Sequence, residues 1–141
     1  MADEIKETVQ EIDFGDYAII DTITHYFEKK PEWYWKIKPV TSGLELERSK
    51  FMLHNRVIET VDGIRRELPP TWLEIAYREI ALTFGGTNIT DRSGALVLQD
   101  DARIPEIERF LASAPNEWVM EIWKALGAVY PKWGPADPNA V

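Results

Sequence analysis

The segment from Thr71 to Phe84 is apolar around most of a helical surface. One stripe holds apolar residues at the i, i+3, i+4, i+7, i+8 and i+11 positions: Leu73, Ala76, Tyr77, Ile80, Ala81 and Phe84. Further apolar side chains widen this stripe, and mainly charged residues are left outside it: Glu74, Arg78 and Glu79. Thr71 and Glu74 match a capping box, which begins a helix. The sequence therefore predicts a helix that is buried on several sides and lies at the centre of the core.

The pair Gly85-Gly86 directly follows this helix, within the segment Gly-Gly-Thr-Asn. Glycines that cradle a phosphate come before a helix, where free N–H groups and the positive end of the helix dipole face the anion. A glycine after a helix instead closes the last turn in the left-handed conformation. The pair is predicted to be a helix stop and not an anion site.

The N-terminal half of the chain carries β patterns. Residues 16–27 are rich in β-branched and aromatic side chains, although their period also allows a helix. A strand follows, with Trp33, Trp35 and Ile37 on one face and Tyr34, Lys36 and Lys38 on the other. The prolines that flank it, Pro31 and Pro39, predict an edge strand or one of limited length. Two β-branched runs around Asp62-Gly63 predict a hairpin over residues 56–68.

Helical spacing recurs in residues 41–56, 104–114 and 116–129. Thr41 or Ser42 is a candidate N-cap for the first of these, and Ser42 with Glu45 matches a capping box. A loop of about 20 residues, with a possible short strand at 95–99, precedes the last two helices. The chain is thus predicted to be α+β, with a small N-terminal antiparallel sheet or hairpin packed on a C-terminal bundle of three to four helices. Residues 1–12 form an acidic arm, residues 13–130 a single domain, and residues 131–141 a Pro-rich tail.

Charge argues against nucleic acid as a partner, and hydropathy argues against a membrane. The net charge is −8, although residues 28–56 form a modest basic segment. Nucleic-acid binding depends on neutralising phosphates, so an acidic chain is a poor candidate for it. No apolar run approaches the roughly 20 residues that cross a bilayer. With no cysteine and no signal-peptide pattern at the N-terminus, the expected location is the cytoplasm.

A search for chemistry finds no catalytic motif. His25 and His54 lack metal-ligand spacing, and they are better explained as structural residues than as acid–base groups. Asp91, Asp100 and Asp101 do not match a calcium loop. We therefore expect no catalytic residue, no cofactor and no metal site, and a protein that is not an enzyme.

Three segments resemble tail assembly chaperones of long-tailed, siphovirus-type bacteriophages. They are "YWKIKPVTSGLELERSKFM", in which an aromatic strand ends in a Lys-Pro-apolar-Thr turn before a Glu-rich helix, then "LPPTWLEIAYREIALTFGGTNI" and "PNEWVMEIWKALGAVYPKWG". The resemblance implies a non-enzymatic protein in the bacterial cytoplasm. Its partners would be the tape-measure protein, whose long helices it keeps soluble, and the tail-tube protein.

The resemblance carries no binding motif, so the contact residues are predicted from physical chemistry alone. One group is the strand edge with Trp33, Trp35, Lys36 and Lys38, although core burial is the default for tryptophans in such a patterned strand. A second group is Tyr130 with Trp133. Trp133 lies in the Pro-rich tail, which either folds back and buries it or presents it to a partner. The chain is also a possible homo-oligomer.

Three other functions remain open at this stage. One is a virion component, such as a tail-completion or connector protein. Another is an acidic immunity-type inhibitor, whose charge would steer it towards a basic toxin. The last is a small hydrolase that uses Asp100 or Asp101.

Overall fold

The computed structural model describes residues 21–136, which form an α+β fold as the sequence predicts. In chain order the elements are β1 (Ile23–Phe27), β2 (Lys30–Ile37), α1 (Ser42–His54), β3 (Val57–Val61), β4 (Ile64–Leu68), α2 (Trp72–Leu82), β5 (Phe84–Thr87), α3 (Ile104–Ser113) and α4 (Asn116–Val129). Three parts of the prediction lie outside the described residues: the acidic arm (residues 1–12), residues 13–20 of the domain, and residues 137–141 of the tail.

Strands β1, β2 and β5 form an antiparallel sheet in which β2 is the central strand. The prediction that β2 lies at a sheet edge is therefore wrong. Its prolines are compatible with the central position because β5 pairs only with the end of the strand, from Trp35 to Ile37. Pro31 precedes that doubly paired part, where a missing N–H would remove a ladder hydrogen bond.

The Gly85-Gly86 pair lies within β5, so its prediction as a helix stop is also wrong. Helix α2 ends at Leu82, and Thr83 closes it by donating its hydroxyl hydrogen to the Glu79 carbonyl, 2.8 Å away. A Cβ on Gly85 would lie 3.2 Å from the Lys36 carbonyl oxygen, and Gly86 has a φ of +128°. The two glycines thus let β5 approach β2 closely at the point where the register shifts.

Residues 88–103 connect β5 to α3 as a loop, which is shorter than predicted because β5 takes the first residues. The possible strand at 95–99 is reduced to one isolated bridge between Thr90 and Leu96. Ile89 and Leu98 from this loop are buried in the core. The loop is therefore fixed to the body by its own apolar side chains.

Helix α2 is central, as predicted, and it packs against α1, α3 and α4. Ala76, Ile80, Ala81 and Leu82 are buried along it. Glu79 is buried as well, with 1% of its surface exposed, although the helical pattern placed it outside. Thr71 donates its hydroxyl hydrogen to the Glu74 carboxylate and makes no side-chain bond to the helix backbone, so the predicted capping box is not formed.

The Glu79 carboxylate joins three other parts of the chain to α2. Arg48 of α1 donates from Nε to Oε2 at 2.7 Å, and Trp123 of α4 donates from Nε1 to Oε1 at 2.8 Å. The backbone N–H of Gly134 donates to Oε1, also at 2.8 Å. A buried carboxylate is costly unless it is paired and hydrogen-bonded, and here three donors meet that condition.

The first residues of the predicted tail belong to this packed unit. Trp133 is buried, and its Nε1 donates to the Glu45 carboxylate at 2.9 Å. Glu45 is therefore engaged by the tail, and Thr41 caps α1 by accepting from the Leu44 N–H. Of the two alternatives for Trp133, the structure shows the folded-back tail.

Removing the Glu79 carboxylate should strongly destabilise the fold. Glu79→Ala leaves the guanidinium of Arg48 and the indole N–H of Trp123 without their acceptor, which we expect to cost about 3–5 kcal/mol. The matched control is Glu117→Ala, which removes the exposed pair with Lys29 and should cost no more than about 1 kcal/mol. Urea unfolding measures both values. Equal losses in the two variants would contradict the central role of Glu79.

Gly134 should be a second sensitive position. A Cβ there would lie 2.4 Å from the Gly127 Cα, and the φ of Gly134 is +82°. Gly94 has a similar φ of +85° but open space around it, so Gly94→Ala isolates the backbone strain, about 1 kcal/mol. We expect Gly134→Ala to cost at least about 3 kcal/mol in urea unfolding, because the tail or α4 must move. A loss no larger than that of Gly94→Ala would show that the tail contact contributes little.

Candidate protein-binding surface

The hairpin formed by β3 and β4 stands apart from the three-stranded sheet. Its turn has positive φ at both central residues, 54° at Asp62 and 77° at Gly63, as expected for a tight primed turn. The two strands form a separate two-stranded sheet, and every position of both strands is exposed. The predicted hairpin is confirmed, but its exposure was not foreseen.

One face of the hairpin is mostly apolar. The strand register pairs Val57 with Leu68, Glu59 with Arg66, and Val61 with Ile64. Because side chains alternate across a strand, these three pairs lie on one side, which we call the hairpin face. Its four apolar side chains are 36–66% exposed. The Arg66 Nη2 lies 2.9 Å from the Glu59 carboxylate, so an ion pair occupies the middle of the face.

The opposite side of the hairpin is more polar. Thr60, Arg65 and Glu67 share it with one apolar residue, Ile58, and Glu67 pairs with Arg56 at 3.0 Å. A two-stranded hairpin is at best marginally stable without a packed face. Clustered apolar side chains that face water are typical of an interaction site. The hairpin face is therefore the candidate protein-binding surface.

Further exposed apolar residues lie on the elements that flank the hairpin in the sequence. Leu46 and Leu53 of α1 are both more than half exposed, and seven residues separate them, so they lie on one side of that helix. Trp72, the first residue of α2, is partly exposed and stacks on Trp123 with a ring-centroid distance of 6.0 Å. Apolar exposure thus continues on both sides of the hairpin along the chain.

The residues predicted as contacts on β2 divide between core and surface. Trp35 is fully buried, with its ring stacked on Phe110 and in edge-to-face contact with Phe84. Trp33 is half-buried against Trp118 of α4. Burial removes Trp35 from any surface of the folded chain, which corrects the prediction for this residue. The reason is that β2 is the central strand and turns its tryptophan face towards the helices.

The predicted lysines lie on other parts of the molecule. Lys36 points to the other side of the sheet, with its Nζ 5.3 Å from the centre of the Tyr34 ring. Lys38 is exposed just after β2, and its backbone N–H donates to the Thr83 carbonyl at 2.8 Å. Both lysines remain accessible.

The second predicted group, at the end of α4, is largely part of the core. Tyr130 is half-buried at the helix end, where its N–H donates to the Leu126 carbonyl. Trp133 is buried between the Glu45 carboxylate and the guanidinium of Arg48, 5.4 Å above its ring. Trp133 therefore cannot anchor a partner on the surface of the folded chain. Trp33 contacts Trp118 near the start of α4, whereas Trp133 lies beyond its end and contacts α1 through Glu45 and Arg48.

Grooves also occur elsewhere on the surface of residues 21–136. One, of about 300 Å³, lies between the β1–β2 turn and the start of α4 and has Phe27, Trp118 and Met120 among its lining residues. The rim carries Lys29, whose pKa is raised by its hydrogen bond and charge interaction with Glu117. Another groove, of about 470 Å³, lies beside the start of α3 and mixes basic and acidic side chains, so it offers no uniform charge to a ligand.

The polar clusters of the described residues have structural explanations. His25 Nε2 contacts the Glu121 carboxylate at 2.5 Å and ties β1 to α4. Hydrogen bonds from the Ser93 hydroxyl and the Ala95 N–H lower the pKa of Asp91, which closes a turn of the loop. Among residues 21–136, no cluster of three or more histidine, aspartate or glutamate side chains could hold a metal ion.

Comparison with known proteins gives no relative. No protein-family model matches the chain, and neither the curated proteins nor the solved structures give a match. Within the described residues, every helix is too short or too polar to cross a membrane. The functional argument therefore depends on the surface itself.

The exposure of the hairpin face predicts a contrast between two isoleucines. Ile80 is fully buried in α2, so Ile80→Ala should lower the free energy of unfolding by about 2–5 kcal/mol. Ile64 lies on the hairpin face and is 66% exposed, so Ile64→Ala should cost less than about 1 kcal/mol. Urea unfolding of the two variants gives the comparison. A large loss at Ile64 would mean that the hairpin packs on the body in solution.

Proposed function

We propose that this chain is a non-enzymatic protein-binding factor, and that it acts as a tail assembly chaperone in the cytoplasm of a phage-infected bacterium. The observation that carries the binding function is the hairpin face, an apolar surface turned to water on an element outside the core. The choice of tape-measure and tail-tube proteins as partners comes from the resemblance of three sequence segments to such chaperones.

The hairpin face suits the apolar stripe of a helix. It is three residue pairs long, and strand residues rise about 3.4 Å each, so it matches roughly two turns of a helix. Four apolar side chains would cover the partner's stripe, while Glu59 and Arg66 could pair with charged residues beside it. A small face of this kind favours reversible binding, which a chaperone requires because it must release its client.

The distribution of charge supports the same function. The hairpin segment 56–68 is neutral, since three arginines balance three acidic residues, whereas the whole chain carries −8. Net charge far from zero keeps a protein soluble and monomeric. An acidic body with a neutral apolar hairpin can therefore hold an aggregation-prone partner in solution.

Co-expression with the tape-measure protein of the same genome tests the proposal. The wild-type chain should keep that protein soluble and co-purify with it. The double variant Val61→Ser/Ile64→Ser should weaken binding at least about tenfold, because each buried methylene group contributes about 0.8 kcal/mol. Ile58→Ser is the matched control, since Ile58 is equally exposed but lies on the opposite side of the hairpin.

Two outcomes would contradict the proposal. In one, the tape-measure protein stays insoluble and nothing co-purifies with the wild-type chain. In the other, the double variant binds as well as the control variant does. Stoichiometric amounts of the chain in purified phage particles would instead identify a virion component.

A further inference from the structure

The hairpin face is complementary to itself. Its outer pairs are apolar on both strands, and its middle pair places an acid on β3 beside a base on β4. In a two-fold dimer the same patch serves both copies, so a face of this kind can receive a second copy of itself. We infer that two copies of this chain pair through the hairpin face when no other partner occupies it.

Charge selects the arrangement of the two copies. A two-fold axis that runs along the strands sets β3 of one copy against β4 of the other. Glu59 then faces Arg66 of the second copy, and Val61 faces Ile64 of the second copy. An axis across the strands would set Glu59 against Glu59, and like charges in close apposition are unfavourable. The pairing is therefore β3 on β4, with the two turns at the same end.

The charge of the rest of the molecule favours contact at this place. Two copies of a chain with net charge −8 repel each other over most of their surfaces. The hairpin segment is neutral and carries the exposed apolar side chains, so repulsion is weakest where apolar burial is available. The second copy is thus the occupant that matches this face in both charge and polarity.

The dimer is expected to be weak and reversible. Six side chains from each copy are far fewer than the roughly 20–30 residues on each side of a standard interface. This inference rests on the proposed function in one respect, because both use the hairpin face. Self-pairing would cover that apolar face until a client displaces the second copy. The dimer itself is measurable without any client.

Charge reversal tests whether two copies pair through the hairpin face. Glu59→Arg makes the middle of the face basic on both strands, and Arg66→Glu makes it acidic on both strands. Each variant alone should be monomeric, with a mass of 16.3 kDa, at concentrations where the wild type approaches twice that mass. A mixture of the two variants should recover the dimer, because opposite faces then meet. Sedimentation velocity over a concentration series measures all three samples.

Two further samples complete the test. Arg65→Glu, on the opposite side of the hairpin, should dimerise as the wild type does. Because the chain has no cysteine, Val61→Cys and Ile64→Cys give a clean cross-linking reaction that does not depend on the charged pair. When Val61→Cys and Ile64→Cys are mixed and oxidised, they should form a disulfide-linked dimer. The control mixture of Thr60→Cys with Arg65→Cys should not.

The outcomes separate this inference from the proposed function. Self-pairing would be overturned if the wild type stays monomeric at all concentrations. It would also be overturned if the mixture of the reversed-charge variants recovers no dimer and the cysteine variants form no cross-link. Neither result affects co-purification of the tape-measure protein with the wild-type chain. Conversely, a dimer with the expected pattern stands even if no tape-measure protein binds.

Discussion

The carboxylate of Glu79 is the interaction on which the rest of the structure depends. It sits on the helix that touches all three other helices, and its donors come from α1, from α4 and from the segment after α4. These donors are distant in sequence, so one carboxylate fixes the relative positions of several elements at once. The same requirement explains why Trp133 is buried: the backbone that satisfies Glu79 carries Trp133 into the core beside it.

The hairpin is held together by its own contacts and not by the core around Glu79. It is held by its own ladder and by two ion pairs across its strands, and its apolar side chains contribute little to the central core. Loss of packing at the hairpin face is therefore expected to change the free energy of unfolding of the body very little. The exposed apolar side chains of the hairpin can therefore be substituted with little effect on the core.

Local patterns in the sequence predict much of the fold and little of the surface. The α+β class, the four helices, the hairpin and the central position of α2 follow from periodicity and turn residues. The burial of Glu79 does not, because a helical pattern treats every acid as outward and cannot show the three donors that surround it.

Strand β5 is not predicted, because it is four residues long, contains two glycines, and is recognisable only by its pairing with β2, about fifty residues earlier. The prolines around β2 indicate an edge strand or a short one, whereas pairing with β5 makes β2 the central strand and turns Trp35 into the core. The exposure of the hairpin face was missed for a related reason, since alternation shows that one side is apolar but not whether anything covers it.

The late position of Gly134 in the sequence has a consequence for folding during synthesis. Glu79 leaves the ribosome long before the backbone N–H that completes its set of donors, so the helical core cannot reach its final arrangement until that residue has emerged. The hairpin depends only on contacts within about a dozen residues, and such contacts form in microseconds. On a translating ribosome, the contacts within the hairpin can thus form before the body that carries them is complete.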